Sequence, residues 1–185
     1  MDHLVGFSGI EEKAEEVVRS EQFSSLIEKM KKCKRIYLLG NGGLHYVASH
    51  MSTDLSRLVQ DKCVFSFDSV GFITSNANDH GYAQVFTRWL ESTLLEKDAE
   101  ESLVIGLSCS GNSSNVINAL HWAEKNNVES FLVSGQPSNV LNDSVEELTF
   151  NCEYFHTVEV LCMIIFYEAI HKLGSKCPDI NSEKQ

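Results

Sequence analysis

The chain is short of positive charge. Fifteen Lys plus Arg face 26 Asp plus Glu, a formal charge of −11 with seven His counted neutral. Nucleic-acid platforms need a basic face, and outside residues 29–35 no Lys/Arg cluster exists, so that class is set aside. Proline is nearly absent, with only Pro137 and Pro178. Six Cys are too few for a disulfide scaffold, and no C-x-x-C pair points to a Cys-rich zinc site. Most of them are expected to be reduced core fillers. Long apolar runs are missing too: residues 158–170 are broken by Glu159 and Glu168. A bilayer span needs about 20 largely uncharged residues, so no membrane partner is expected. Met1-Asp2-His3 leads into an acidic stretch without a basic n-region, so no export signal is read and a cytoplasmic protein is expected.

What is present suits one globular domain. The chain has 185 residues, 43% hydrophobic and 22% charged, and a domain takes roughly 150 residues. Residues 1–175 are expected to form a single domain with N-terminal helices, and 176–185 a frayed tail. His3, His121 and His171 are expected at the surface. The first thirty residues carry apolar residues at helical spacing. Strands are read at 35–39, 63–67, 102–107, 130–134 and 147–150. Helices are read at 44–58, 84–97, 113–125 and 154–173, the last apolar nearly all round. Apolar strands alternating with amphipathic helices predict an α/β three-layer sandwich, a doubly wound parallel sheet of about five strands. Ligands in such folds bind where strand ends lead into helices. The chemistry is therefore expected at 40–43, 68–81, 108–113 and 134–136.

Ser108-Cys109-Ser110-Gly111-Asn112-Ser113 is the most specific segment. Hydroxyls and a glycine turn at a helix start can hold a phosphate through backbone N–H groups and the helix dipole; an ordinary N-cap turn has the same composition. A hydrolase elbow needs Gly-x-Ser-x-Gly, and Gly106-Leu107-Ser108-Cys109-Ser110 has Ser last. Gly40-Asn41-Gly42-Gly43 lets backbone approach a small ligand. A dinucleotide fingerprint would need Gly at His45, although Asp68 after the second strand keeps that alternative open. His50 and Asp54, at i and i+4, share a helix face, as do His156 and Glu159 at i and i+3. Such groups could hold zinc or be solvated pairs. Asn76-Ala77-Asn78-Asp79-His80-Gly81-Tyr82 reads as a polar loop suited to sugar hydroxyls, or as a turn.

In order and spacing, Tyr37–Gly43, Asn76–Phe86 and Gly106–Val116 resemble the sugar isomerase (SIS) domain family, specifically its phosphoheptose isomerases, across about residues 5–173. The resemblance implies a flavodoxin-like fold and a homotetramer with sites between subunits. It also implies interconversion of sedoheptulose 7-phosphate and D-glycero-D-manno-heptose 7-phosphate. Ser108, Ser110 and Ser113 match the family's phosphate-binding serines, with Cys109 where Thr is usual. Asn41, Gly42, Gly43, Asn78 and Asp79 match substrate-contact positions, and His50 matches a zinc ligand.

There are departures from the family pattern. Leu44 replaces the usual Ser, and Asp54 stands where a Glu is zinc ligand and base. The family's final helix opens Gln-Glu-x-His, with a metal-ligand His eight residues after the Gln. Aligning Glu168 with a Glu common there puts His156 at the Gln, Glu159 at the first His and Ile164 at the second. Two readings follow. In one, the site is rebuilt: His50, Asp54 and His156 hold zinc or another divalent metal, Asp54 or Glu159 moves the proton, and His80 or His45 is the acid. In the other, the domain is a non-catalytic sugar-phosphate-binding or assembly module.

Overall fold

The computed structural model describes residues 5–180; His3 and the last five residues of the expected tail lie outside them. Two amphipathic helices come first, α1 (Ile10–Val18) and α2 (Glu21–Lys32). The break between them is made by Ser20, whose hydroxyl accepts the Phe23 N–H and caps α2. The five strands are β1 (Arg35–Gly40), β2 (Cys63–Ser66), β3 (Ser102–Ser108), β4 (Glu129–Ser134) and β5 (Glu146–Thr149). All pair in parallel, in the order β2-β1-β3-β4-β5. That order is the flavodoxin-like doubly wound one.

Alternation along the strands sends side chains to two cores. From β1, Ile36 and Leu38 enter one core with α1, α2, α3 (Gly43–Leu58) and α7 (Phe155–Lys172). Tyr37 and Leu39 enter the other, beneath α5 (Val85–Thr93) and α6 (Ser114–Lys125). Strands buried on both faces explain the near-continuous apolar runs in the sequence. Gly106 is required for contact: a methyl there would lie 2.5 Å from Val116 Cγ1 on α6.

The structure revises two segments. Residues 70–80, read as part of a polar loop, form a helix, α4 (Val70–His80), capped by Ser69 and with no fully buried residue. Asn and Asp favour turns in isolation; here Phe72, Ile73 and Ala77 pack against the second core and hold the helix. The helix expected over 84–97 is shorter, flanked by 3₁₀ turns at Tyr82–Gln84 and Glu96–Glu101. After α7, Ser175 donates to Leu58 O and Cys177 packs against the first core. His171 is exposed, whereas His121 is half-buried, its Nε2 enclosed without a partner among the described residues. No helix among those residues is long and apolar enough to cross a membrane.

Candidate active site

Strand order reverses between β1 and β3, so the loops leaving these strands diverge and leave a crevice. A cleft of about 380 Å³ lies there, lined by Asn41–Leu44, Leu107–Ser110, Ser113, Phe155 and Glu159. The starts of α3, α6 and α7 all reach it, at Gly43, Ser113 and Phe155, and none of the three has a side-chain cap. Three helix N-termini converging on one cleft make it attractive to an anion through their dipoles. It has no Lys, Arg or His in its lining.

The serine loop is internally braced. Ser108, 1% exposed, places its Oγ 2.9 Å from Ser113 Oγ and accepts the Ser113 N–H. Ser110 Oγ accepts the Asn112 N–H at 3.2 Å, while Asn112 Nδ2 donates to Ser110 O. The turn depends on Gly111, whose φ is +70°; a methyl there would stand 2.4 Å from Gln136 O. Cys109, beside these serines, has its thiol pushed up to about 11 by burial and, secondarily, by the Glu159 charge. It is therefore a neutral lining group near pH 7, not a nucleophile.

The glycine loop faces it. Gly42 has φ +56°, outside what other residues adopt comfortably. Asn41 and Asn115 exchange amide hydrogen bonds at 2.9 and 2.8 Å, and Tyr82 donates to Asn41 Oδ1 at 2.9 Å. Gly43 is bare because Glu159 lies against it: a methyl there would be 2.0 Å from Glu159 Oε1. A carboxylate thus sits at the start of α3, in the same cleft as the serines.

The expected metal set does not assemble. His156 stands near the start of α7, but its Nε2 lies 3.0 Å from Val5 O and its ring packs on Phe7 and Tyr154. Asp54 stands eleven residues beyond Gly43, about 16 Å along α3, so it is not a base within the cleft. The groups that meet Asp54 are His50, Arg57 and Tyr167. Tyr167 Oη donates to Asp54 Oδ2 at 3.1 Å and lies 2.9 Å from His50 Nε2. Arg57 donates to Asp54 Oδ1 at 2.9 Å. Burial first, and then Asp54, raise the Tyr167 phenol above its usual range, so it is a neutral hydroxyl near pH 7. Among the described residues no group of three or more His, Cys, Asp or Glu could hold a metal ion. The residues present do not fit zinc.

The structure also shows which residue of the final helix reaches His50. Tyr167, not Ile164, meets His50; Ile164 packs against the first core. Tyr167 follows Glu159 by eight, the spacing the family resemblance gives between its Gln and its ligand His.

The remaining candidates lie apart. His45 Nε2 is 3.2 Å from Asp68 Oδ1, and Ser66 also donates to Asp68. Asp68, exposed, is held by these two groups. His45 lines a second cleft of about 240 Å³ with Asn41, Tyr46 and Tyr82. Asn78 and Asp79 lie on exposed α4, Asn78 donating to Asp79 at 2.8 Å. His80 ends that helix, exposed, and lines neither cleft. Sequence reading missed Asn115 and Tyr167 as site residues; Tyr82 was included only as the end of the 76–82 segment. Only Tyr167 had a signal, its spacing from Glu159.

A parallel sheet in this order, with a serine turn at its reversal point, has the fold of a sugar isomerase (SIS) domain. The solved phosphoheptose isomerase of Neisseria gonorrhoeae superposes with a TM-score of 0.76 over 89% of this chain and 91% of that one, at 19% identity. Sequence similarity is found as well. A curated phosphoheptose isomerase of Buchnera aphidicola is 34% identical over 126 residues, 65% of this chain and 63% of the relative. One from Hamiltonella defensa is 29% identical over 122 residues, 64% of this chain and 57% of the relative. The chain thus spans less than two thirds of these relatives' length. No family model matches it. The resemblance to phosphoheptose isomerases holds in both sequence and fold.

Proposed function

We propose that this chain is a sugar-phosphate aldose–ketose isomerase, interconverting sedoheptulose 7-phosphate and a glycero-manno-heptose 7-phosphate or a close stereochemical variant. The observation that carries the reading is one cleft holding both parts of the chemistry. The serine turn offers an anion seat, and a carboxylate lines the same cleft against Gly43. Isomerisation moves a proton between adjacent carbons through an enediolate. Ser108, Ser110 and Ser113 hold the phosphate, Asn41, Gly42 and Gly43 meet the sugar, and Glu159 carries the proton. Backbone N–H groups at the start of α3 face the developing oxyanion, a preorganised dipole that supplies electrostatic stabilisation.

The same reading includes a cytoplasmic homotetramer. Asn78, Asp79 and His80 lie on a helix that buries no residue within its own chain, and in the tetramer they contribute to a neighbouring subunit's cleft. Incubation with sedoheptulose 7-phosphate followed by sugar analysis tests the activity. An aldose heptose phosphate is the expected product, and tight binding without product favours the non-catalytic module. Ser110→Ala is expected to weaken binding of the phosphate ester by about 1–3 kcal/mol, the usual loss for a hydrogen bond to a charged group. Calorimetric titration checks this, and unchanged affinity removes the serine turn from the site.

A further inference from the structure

Helices α3 and α7 pack side by side, and two meetings between them show that they run the same way. Glu159 lies against Gly43, and further along both helices Tyr167 reaches His50 and Asp54. The second meeting has the shape of a ligand site. His50 Nε2 and Asp54 Oδ2 stand 3.6 Å apart, close to the spacing of two donors on one tetrahedral ion with bonds of about 2.0–2.2 Å. The Tyr167 hydroxyl, however, already spans that pair, at 2.9 and 3.1 Å.

We propose that the Tyr167 hydroxyl stands in for a metal ion between His50 and Asp54, so that this chain holds no zinc there and its cleft works with protein groups alone. Three features support the substitution. Asp54, 8% exposed, has both oxygens engaged, Oδ1 by the Arg57 guanidinium and Oδ2 by Tyr167. A dication would have to sit beside that fixed positive charge. Zinc needs four donors, at least three usually from protein, and His50 and Asp54 supply two. The other carboxylate and imidazole on α7 are directed elsewhere: Glu159 lies against Gly43, and His156 is held at Val5 O. A neutral hydroxyl that donates to the carboxylate and meets the imidazole satisfies both groups without an ion.

The metal part of this proposal stands on geometry alone; the statement that the cleft works without metal rests on the isomerase reading. The test is zinc binding by the purified, metal-stripped full chain, followed by calorimetry and elemental analysis after desalting. Wild type is expected to retain zinc on fewer than about one chain in ten, whereas Tyr167→His, which completes a two-His, one-Asp set, should bind zinc about 100-fold more tightly or better. Stoichiometric zinc on wild type, lost in His50→Ala, overturns the proposal. So does a folded Tyr167→His variant, verified by its melting temperature, with no gain in zinc affinity. Turnover of sedoheptulose 7-phosphate is then followed with and without chelator. Turnover that survives chelation supports the metal-free cleft, and turnover that needs added zinc overturns it. Absence of turnover under both conditions defeats the isomerase reading and leaves the zinc result standing.

Discussion

Glu159→Gln is expected to cut turnover of the heptose phosphate by about 100- to 10,000-fold, the range contributed by a positioned acid–base group, while leaving phosphate-ester affinity nearly unchanged. The two side chains have the same shape, so the packing against Gly43 is kept. The amide cannot accept and return a proton. The serines proposed to seat the phosphate are on other elements, leaving β3 and opening α6, and make no hydrogen bond to the substituted group. Steady-state kinetics beside calorimetric titration separate the two quantities. Retained turnover would move the base elsewhere, and lost affinity with retained turnover would make Glu159 a binding group.

The second large effect is expected at Gly111. Its φ of +70° costs a side-chain-bearing residue about 1–2 kcal/mol, and its added methyl would meet backbone at Gln136 O at 2.4 Å. Backbone cannot rotate away as a flexible side chain can, so the turn itself must shift. Gly111→Ala should lower stability and also weaken phosphate-ester binding by about tenfold or more, since Ser108, Ser110 and Ser113 depend on that turn. Gly174→Ala is the control. Gly174 has φ +89° with open space around it, beyond the far end of α7, so only the strain should be felt. Denaturant unfolding and titration of both variants check this. Equal binding losses would show that the effect is global softening and not loss of the seat.

The serine and glycine turns were legible as site segments because each follows an apolar strand and precedes an amphipathic helix. Periodicity locates those boundaries without any tertiary information. Helix α4 was not legible: its Asn, Asp and Gly composition favours turns, and it is held by partial burial of only a few apolar side chains. The facing of α7 was not legible either. A helix apolar nearly all round has no stripe to say which residues turn toward a given neighbour. His156 and Glu159 share a face by spacing, yet one is drawn to Val5 and Phe7 and the other to Gly43.

By itself, then, the sequence determined the layered α/β architecture, the parallel sheet and the two turns at its reversal point. These follow from local periodicity and from glycines and serines whose roles are set within a few residues. Tertiary structure alone decided which polar groups meet. It brought Glu159 to the cleft, sent His156 to the N-terminal segment, and set Tyr167 between His50 and Asp54. Those pairings depend on how two helices are rotated against each other, and that rotation is set by packing across the whole core, not by any short stretch of chain.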